Sequence, residues 1–186
     1  MKLWPGLELM AYREDDVILA SLQKQFEDLQ RRYTFGEAAM RLALHQAELA
    51  IHDAEVPVGA VITAGRRLLA AAHNLPVSLR DPTAHAEILA IRDAAAHLGE
   101  YRLTDTSIYI TLEPCVMCVG AILNARIAQV YYGARDEKAG ALGSVYDIGR
   151  DGLLNHRVEV YGGILGAECA RVLRDFFESR RAIKGS

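Results

Sequence analysis

Short apolar runs bounded by Gly, Pro and Asn alternate along this chain with segments whose apolar residues recur every three or four positions, and that alternation limits the fold more than any other feature. Val56 to Thr63 (VPVGAVIT) reads as a buried strand, with Pro57 at its start where a missing N–H is tolerated. Ala64-Gly65-Arg66 turns it into a second strand, Arg67 to Ala72, and so predicts a hairpin. A loop with Asn74, Pro76 and Pro82 leads to a helix expected over Thr83 to His97. Ser107 to Leu112 predicts a third strand, Cys115 to Asn124 a helix, and Ile127 to Tyr132 a fourth strand. Residues 133–152, with five glycines, read mostly as loop; Arg157 to Tyr161 predicts a fifth strand and 167–182 a final helix. Strands alternating with helices argue a layered α/β domain with helices packed on a sheet.

Upstream, Leu19, Leu22, Phe26, Leu29 and Tyr33 recur at steps of 3, 4, 3 and 4, which predicts an amphipathic helix over 15–33. The stripe is too short for a lasting coiled coil, so packing on its own domain is the favoured reading. A change of character near Thr34 divides the chain into an N-terminal extension, 1–33, and a domain, 34–186. In the domain's first helix Met40, Leu44, Ala47, Ile51 and Ala54 continue an apolar stripe. Arg41, His45, Glu48 and His52 read as its solvated face. The length of 186 residues suits one domain with a modest appendage, large enough to need no disulfide. The opening MKLWPGLELM is too short and broken for a secretory signal, and no apolar run is long enough to span a bilayer. A reducing cytoplasm is the expected location. Three cysteines, at 115, 118 and 169, agree, being no disulfide framework.

Two strings carry chemistry. His85-Ala86-Glu87 stands near one helix start and Pro114-Cys115-Val116-Met117-Cys118 at another. Cysteines three apart on a helix share a face, so both sulfurs can reach one point, and Pro114 suits a first helical position. The positive helix N-terminus favours thiolates, the form that binds metal. Two thiolates and an imidazole make three ligands for tetrahedral Zn²⁺, and three ligands leave a fourth position for water, as at a catalytic site. Glu87, expected about 200° around the helix from His85, suits a base near the metal but not on it.

Other readings compete. A lone C-x-x-C can be a redox dithiol, although Val116-Met117 is bulky for one. A structural zinc site would want a fourth ligand, and the spare cysteine, Cys169, shares a core stripe with Val172, Leu173 and Phe176. His97 and His73, the latter placed after a strand, read as capping or surface residues. Glu113 beside Pro114 reads as a partner of the helix dipole rather than of the chemistry.

The HAE and PCxxC strings match the signature of zinc-dependent nucleobase deaminases. Beyond them the chain resembles the bacterial tRNA-specific adenosine deaminases across nearly all of 35–186. The likeness runs through Glu55-Val56-Pro57-Val58-Gly59-Ala60, Asp81 to Glu87, Thr111 to Cys118, Gly133-Ala134-Arg135-Asp136, Asn155-His156-Arg157-Val158 and Asp175-Phe176-Phe177. The resemblance implies a cytidine deaminase-like three-layer fold, a five-stranded mixed sheet flanked by helices, in a homodimer. It implies hydrolysis of adenosine to inosine at the wobble position of a tRNA anticodon, mainly an arginine tRNA, with release of ammonia. One Zn²⁺ per subunit would be held by His85, Cys115 and Cys118, and Glu87 would carry protons from water to the ring and to ammonia. Base-pocket contacts would fall on Val58, Asn74, Ala86 and Phe177, and positions near the flanking nucleotides on Asp136 and Lys138.

Residues alone leave some of this open. Phe176 continues the core stripe of the last helix, so Phe177 points about 100° away, free to stack on a base or to pack against a neighbouring helix. Asn74, without the resemblance, is a turn residue. The formal charge of −3 fails the test for a nucleic-acid binder, yet 171–186 holds Arg171, Arg174, Arg180, Arg181 and Lys184 against Asp175 and Glu178. Arg174, Arg180 and Arg181 are the expected phosphate contacts. A deaminase of a free base such as guanine, or an RNA-binding protein with a structural zinc, are the competing functions. An unligated Glu87 at this spacing argues against the second. Residues 1–33 stand outside the resemblance, with five basic residues against six acidic.

Overall fold

A computed structural model describes residues 11–149 and 153–184, with side chains described for 17–149 and 153–182. The reading of the first ten residues as no secretory signal therefore lies outside the described residues, as does the side chain of Lys184. Among the described residues no helix is long and apolar enough to cross a membrane.

The hairpin makes one edge of the sheet. Strand β1 (Gly59–Ala64) pairs antiparallel with β2 (Arg67–His73), and Gly65 at φ +55° supplies the left-handed turn residue. On its other side β1 pairs antiparallel with β3 (Thr106–Leu112), which then runs parallel to β4 (Gln129–Ala134), itself parallel to β5 (Glu159–Gly162). The order β2-β1-β3-β4-β5 makes a five-stranded mixed sheet, as the resemblance implied.

Alternation along the strands divides the core in two. Ala60, Ile62, Ile108 and Ile110 face helices α4 (Ala86–Leu98) and α5 (Val116–Asn124), where Ala86, Ala90, Ala94, Val119 and Ile122 are buried with them. Val61 and Tyr109, one residue out of phase, face α1 (Ala11–Gln30) and α2 (Phe35–His52). Helix α6 (Gly166–Lys184) lies on that same side and seals Cys169 against β4.

Local chemistry explains where the elements begin. Thr34 caps α2 in a capping box: its hydroxyl accepts from the Glu37 N–H at 3.4 Å and its own N–H donates to Glu37 Oε2 at 3.2 Å. Strand β1 starts at Gly59 rather than Val56, because the Val58 N–H turns back to the Val56 carbonyl at 2.8 Å. Gly59 is required there: a Cβ would overlap the Ala43 carbonyl oxygen and stand 2.7 Å from the Ala47 nitrogen of α2. The fourth and fifth strands also slide forward. Ile127 closes the end of α5 by donating to Ile122, and Val158 donates to Gly149, so neither joins its ladder.

The buried face of α2 is wider than the expected stripe and turned from it. Ala38, Ala39, Met40, Leu42, Ala43, Gln46, Ala47 and Ala50 are buried, whereas Ile51 is exposed and Ala54 lies beyond the cap Asp53 at φ +60°. Helix α1 packs as the 15–33 stripe predicted, through Leu19, Leu22, Phe26 and Leu29, but it stops at Gln30. Tyr33 is outside it, with the Arg41 guanidinium 4.2 Å above its ring. The Gln23 side chain accepts from the Leu68 N–H at 2.9 Å and so occupies one backbone donor of the edge strand β2.

Candidate active site and metal centre

The parallel strand β3 ends at Leu112, and the chain passes through Glu113 and Pro114 before α5 begins. The structure puts Cys115 at the N-cap of that helix, with extended backbone (φ −76°, ψ 173°), and Pro114 before the cap. His85 likewise is the N-cap of α4 (φ −72°, ψ 153°), not a residue inside a helix starting at Thr83. The reason is Asp81, whose Oδ1 accepts from both the Thr83 N–H at 2.8 Å and the Thr83 hydroxyl at 2.6 Å. Thr83 is thereby spent in a turn and cannot cap a helix. The 200° placement of Glu87 relative to His85 therefore does not hold. Glu87 sits in the first turn of α4 and His85 swings out before it. Between Asn74 and this turn, Pro76–Leu79 forms a short helix, α3, that the reading as loop did not anticipate.

Two helix N-termini thus converge. His85 Nδ1 lies 3.6 Å from Cys118 Sγ and 3.9 Å from Cys115 Sγ, and the sulfurs are 3.8 Å apart. A tetrahedral ion with bonds of about 2.3 Å to sulfur and 2.0–2.1 Å to nitrogen sets its ligands about 3.5–3.8 Å apart. The three donors fit that spacing, and among the described residues they are the only such group of His, Cys, Asp and Glu.

Proton chemistry agrees with the spacing. Cys115 is held down to about 3, first by the Cys118 side chain and then by His85. Cys118 is pushed well up by its bond to Cys115, by burial and by the charge of Glu87. His85 is raised, chiefly by its bond to Cys115. A thiolate, a thiol and an imidazole that share protons at contact distance are the donors a divalent cation binds as those protons leave. Glu87 is buried at 3% exposure, its carboxyl raised by that burial, and its Oε2 has no hydrogen-bond partner in the protein.

Asn74 explains how His85 can occupy an N-cap with its ring left free for the candidate metal site. His85 makes no side-chain capping bond, and Asn74 Oδ1 instead accepts from the Ala86 N–H at 2.8 Å. The Asn74 N–H in turn donates to the Val58 carbonyl at 3.1 Å. Val58, Asn74 and Ala86 are thus joined and buried beside the cluster. Asp136 and Lys138 lie on the loop after β4, where Asp136 Oδ1 accepts from the Lys138 N–H at 2.9 Å. Phe177 is 48% exposed on α6, set against Phe176 in a T-shaped pair at 5.4 Å. Arg174, Arg180 and Arg181 are exposed on the same helix, Arg180 over the Phe176 ring. No described bond or ring contact ties these α6 residues to the cluster.

Two readings of single residues change. His73 belongs to β2 and is mostly covered, its Nε2 3.0 Å from Asp53 and its Nδ1 3.4 Å from Gln46. Glu113 does not serve the helix dipole: it is 2% exposed and its oxygens receive N–H groups from the 136–144 loop. Glu55, given no role in the sequence reading, is also buried at 2% and accepts from the Ser78 N–H at 2.7 Å, holding α3 beside Asn74. A Glu ahead of the apolar strand was the only signal. Cys169 is the inert core thiol expected, buried and pushed up to about 12 by that burial.

A family model, the MafB19-like deaminases, matches residues 36–181. The chain belongs to that family. This deaminase is 45% identical over 154 residues to the tRNA-specific adenosine deaminase of Haemophilus influenzae, covering 82% of this chain and 89% of that one. It superposes at a TM-score of 0.71, with 44% identity, on a structure from work on A-to-I editing by tRNA:A34 deaminases at the wobble position of transfer RNA. That match covers 73% of this chain and 98% of the other. The guanine deaminase of Nitrosomonas europaea is more distant, at 28% identity and a TM-score of 0.65 over 75% of this chain and 83% of that.

Proposed function

We propose that this deaminase converts adenosine to inosine at the wobble position of a tRNA anticodon, of the arginine tRNA type, consuming water and releasing ammonia. The observation that carries the reading is the buried Glu87, its Oε2 unpartnered, beside His85, Cys115 and Cys118. Identity to the Haemophilus influenzae enzyme and likeness to the A34 deaminase structure select this substrate over a free base. His85 Nδ1 and the two sulfurs would hold one Zn²⁺ per subunit, which would supply a Lewis acid that lowers the pKa of a water to about 7.

Glu87 does the proton work. Its Oε2 accepts a proton from water as the water oxygen bonds carbon 6 of the adenine. It gives that proton to ring nitrogen 1, then takes the proton of the new C6 hydroxyl and passes it to the exocyclic nitrogen, so that the C6–N bond breaks, C6–O becomes a carbonyl and ammonia leaves. Burial favours the neutral carboxyl, which eases its uptake of the proton from water. Val58, Asn74 and Ala86 shape the pocket for a flipped-out base, Phe177 offers a stacking face, and Asp136 and Lys138 meet the flanking nucleotides. Arg174, Arg180 and Arg181 contact phosphates. The resemblance brings with it a homodimer and a cytoplasmic setting, and 1–33 remains an extension to the 34–186 domain.

The test is incubation of zinc-loaded protein with an anticodon stem-loop carrying wobble adenosine, with inosine read by sequencing or mass spectrometry. Free adenosine and guanine run in parallel. Inosine in the loop is expected, and turnover of a free base alone would refute the substrate.

A further inference from the structure

We propose that Glu113 is a positioning residue that clamps the 136–146 loop to the strand end bearing the metal ligand Cys115, and thereby sets the loop's place against the RNA. Glu113 Oε1 accepts from the Leu142 and Ser144 N–H groups, both at 3.0 Å, and Oε2 accepts from the Asp136 N–H at 3.3 Å and from the Ser144 hydroxyl. Four donors from one loop thus converge on a carboxylate that is 2% exposed. A buried charge is tolerated when its lone pairs are filled in this way, and here all four described donors come from the loop.

The loop is bound from a second direction. Ala141 N–H donates to the Pro114 carbonyl at 2.9 Å, and Gly140 pairs with Cys115 in an isolated antiparallel bridge. Gly140 must be small: a Cβ would stand 2.5 Å from the Asp136 carbonyl oxygen and 2.6 Å from the Glu113 carboxyl carbon. Glu113 and Gly140 are therefore two halves of one contact. It holds the exposed Lys138 and Tyr146 at a fixed distance from Cys115. A residue that fixes the loop without touching the reacting atoms should act on substrate binding rather than on the chemical step.

This rests on the function proposed above only where the loop meets RNA, so the test has an arm without substrate. Glu113→Gln places an amide NH₂ among N–H donors, and Gly140→Ala breaks the same contact from the loop. In hydrogen exchange, both variants should speed the amides of Asp136, Leu142 and Ser144 while α4 and α5 stay protected. With the anticodon stem-loop, both should raise KM by about tenfold or more and keep kcat within about threefold. Zinc content should remain one per chain. Adding Lys138→Ala to Glu113→Gln should raise KM by less than about twofold further, since both act through one loop. The milder Ser144→Ala should show a smaller effect of the same kind if the others fold poorly. Unchanged exchange at these amides would overturn the clamp. A loss of kcat together with zinc would also overturn it, by making Glu113 a support for Cys115. Wild-type protein inert on the stem-loop would instead refute the proposed function and the RNA part of this inference, with the exchange arm still deciding the clamp.

Discussion

Phe26 decides whether the segment before Thr34 is an appendage or part of the folded unit. Its ring is fully buried, 5.4 Å from Phe35 in an edge-to-face pair, and Phe35 in turn meets Tyr109 of β3 at 6.2 Å. Around it lie Met40, Leu42 and Leu68, all fully or almost fully buried. Phe26→Ala removes that packing and leaves a cavity, at a cost of about 3–5 kcal/mol. The ring pair is worth about 0.5–1.5 kcal/mol beyond its area and is already contained in that range. For a domain of this size each kcal/mol moves the melting temperature by about 2–4 °C, so the expected fall is about 6–20 °C. The assay is thermal unfolding at fixed protein and zinc concentration, with Val17→Ala as the control. Val17 is 70% exposed on the same helix, and its loss should stay within about 0.5 kcal/mol. Because α1 lies on the side of the sheet away from α4 and α5, deamination below the melting temperature should survive in both. A fall under about 2 °C for Phe26→Ala would refute the reasoning and return 1–33 to the status of a loosely attached extension.

Glu87→Ala should keep one zinc per chain by elemental analysis and lose about 10²–10⁴-fold in turnover, since only the proton carrier goes. Turnover near wild type would refute its role. Arg180 and Arg181 changed together to Ala should weaken stem-loop binding and reduce the slope of log affinity against log salt by up to about 1.4, because each phosphate contact on a single strand contributes about 0.7. An unchanged slope would place the phosphate contacts off α6. Removing metal with a chelator should lower the melting temperature, with recovery on adding Zn²⁺, as binding to the folded state alone stabilises it by about 4 kcal/mol at a thousandfold excess over Kd. Protein purified without bound metal and indifferent to zinc would contradict the ligand set.

The sequence made the composition of the site legible but not its backbone. His85, Cys115 and Cys118 could be picked out because few residue types bind metal, and because the two cysteines stand three apart and His85 two before Glu87. Whether each stood inside a helix or at its cap could not be read. Pro114 suits either side of a helix start, and Thr83 looks like a cap until Asp81 takes its donors from outside the helix. Strand boundaries slipped for the same reason. Val56 and Val158 have strand-like side chains, but their neighbourhoods send backbone donors elsewhere, to Val56's own carbonyl from Val58 and to Gly149 from Val158. Net charge says little about RNA because it averages over the chain, whereas binding needs only a local surface.

Buried carboxylates were the hardest to see, since a Glu in a sequence is an exposed residue by default. Three of them, Glu55, Glu87 and Glu113, are at most 3% exposed, and their partners separate their tasks. Glu113 accepts from backbone donors of the 136–144 loop and Glu55 from the Ser78 N–H of α3, contacts that tie those two segments beside the cluster. Glu87 alone keeps an oxygen without a partner in the protein. An acid that is to exchange protons with water and base must have such an oxygen, and one that is to hold a loop must not. That unpartnered oxygen sets Glu87 apart from Glu55 and Glu113, whose carboxylates hold neighbouring segments.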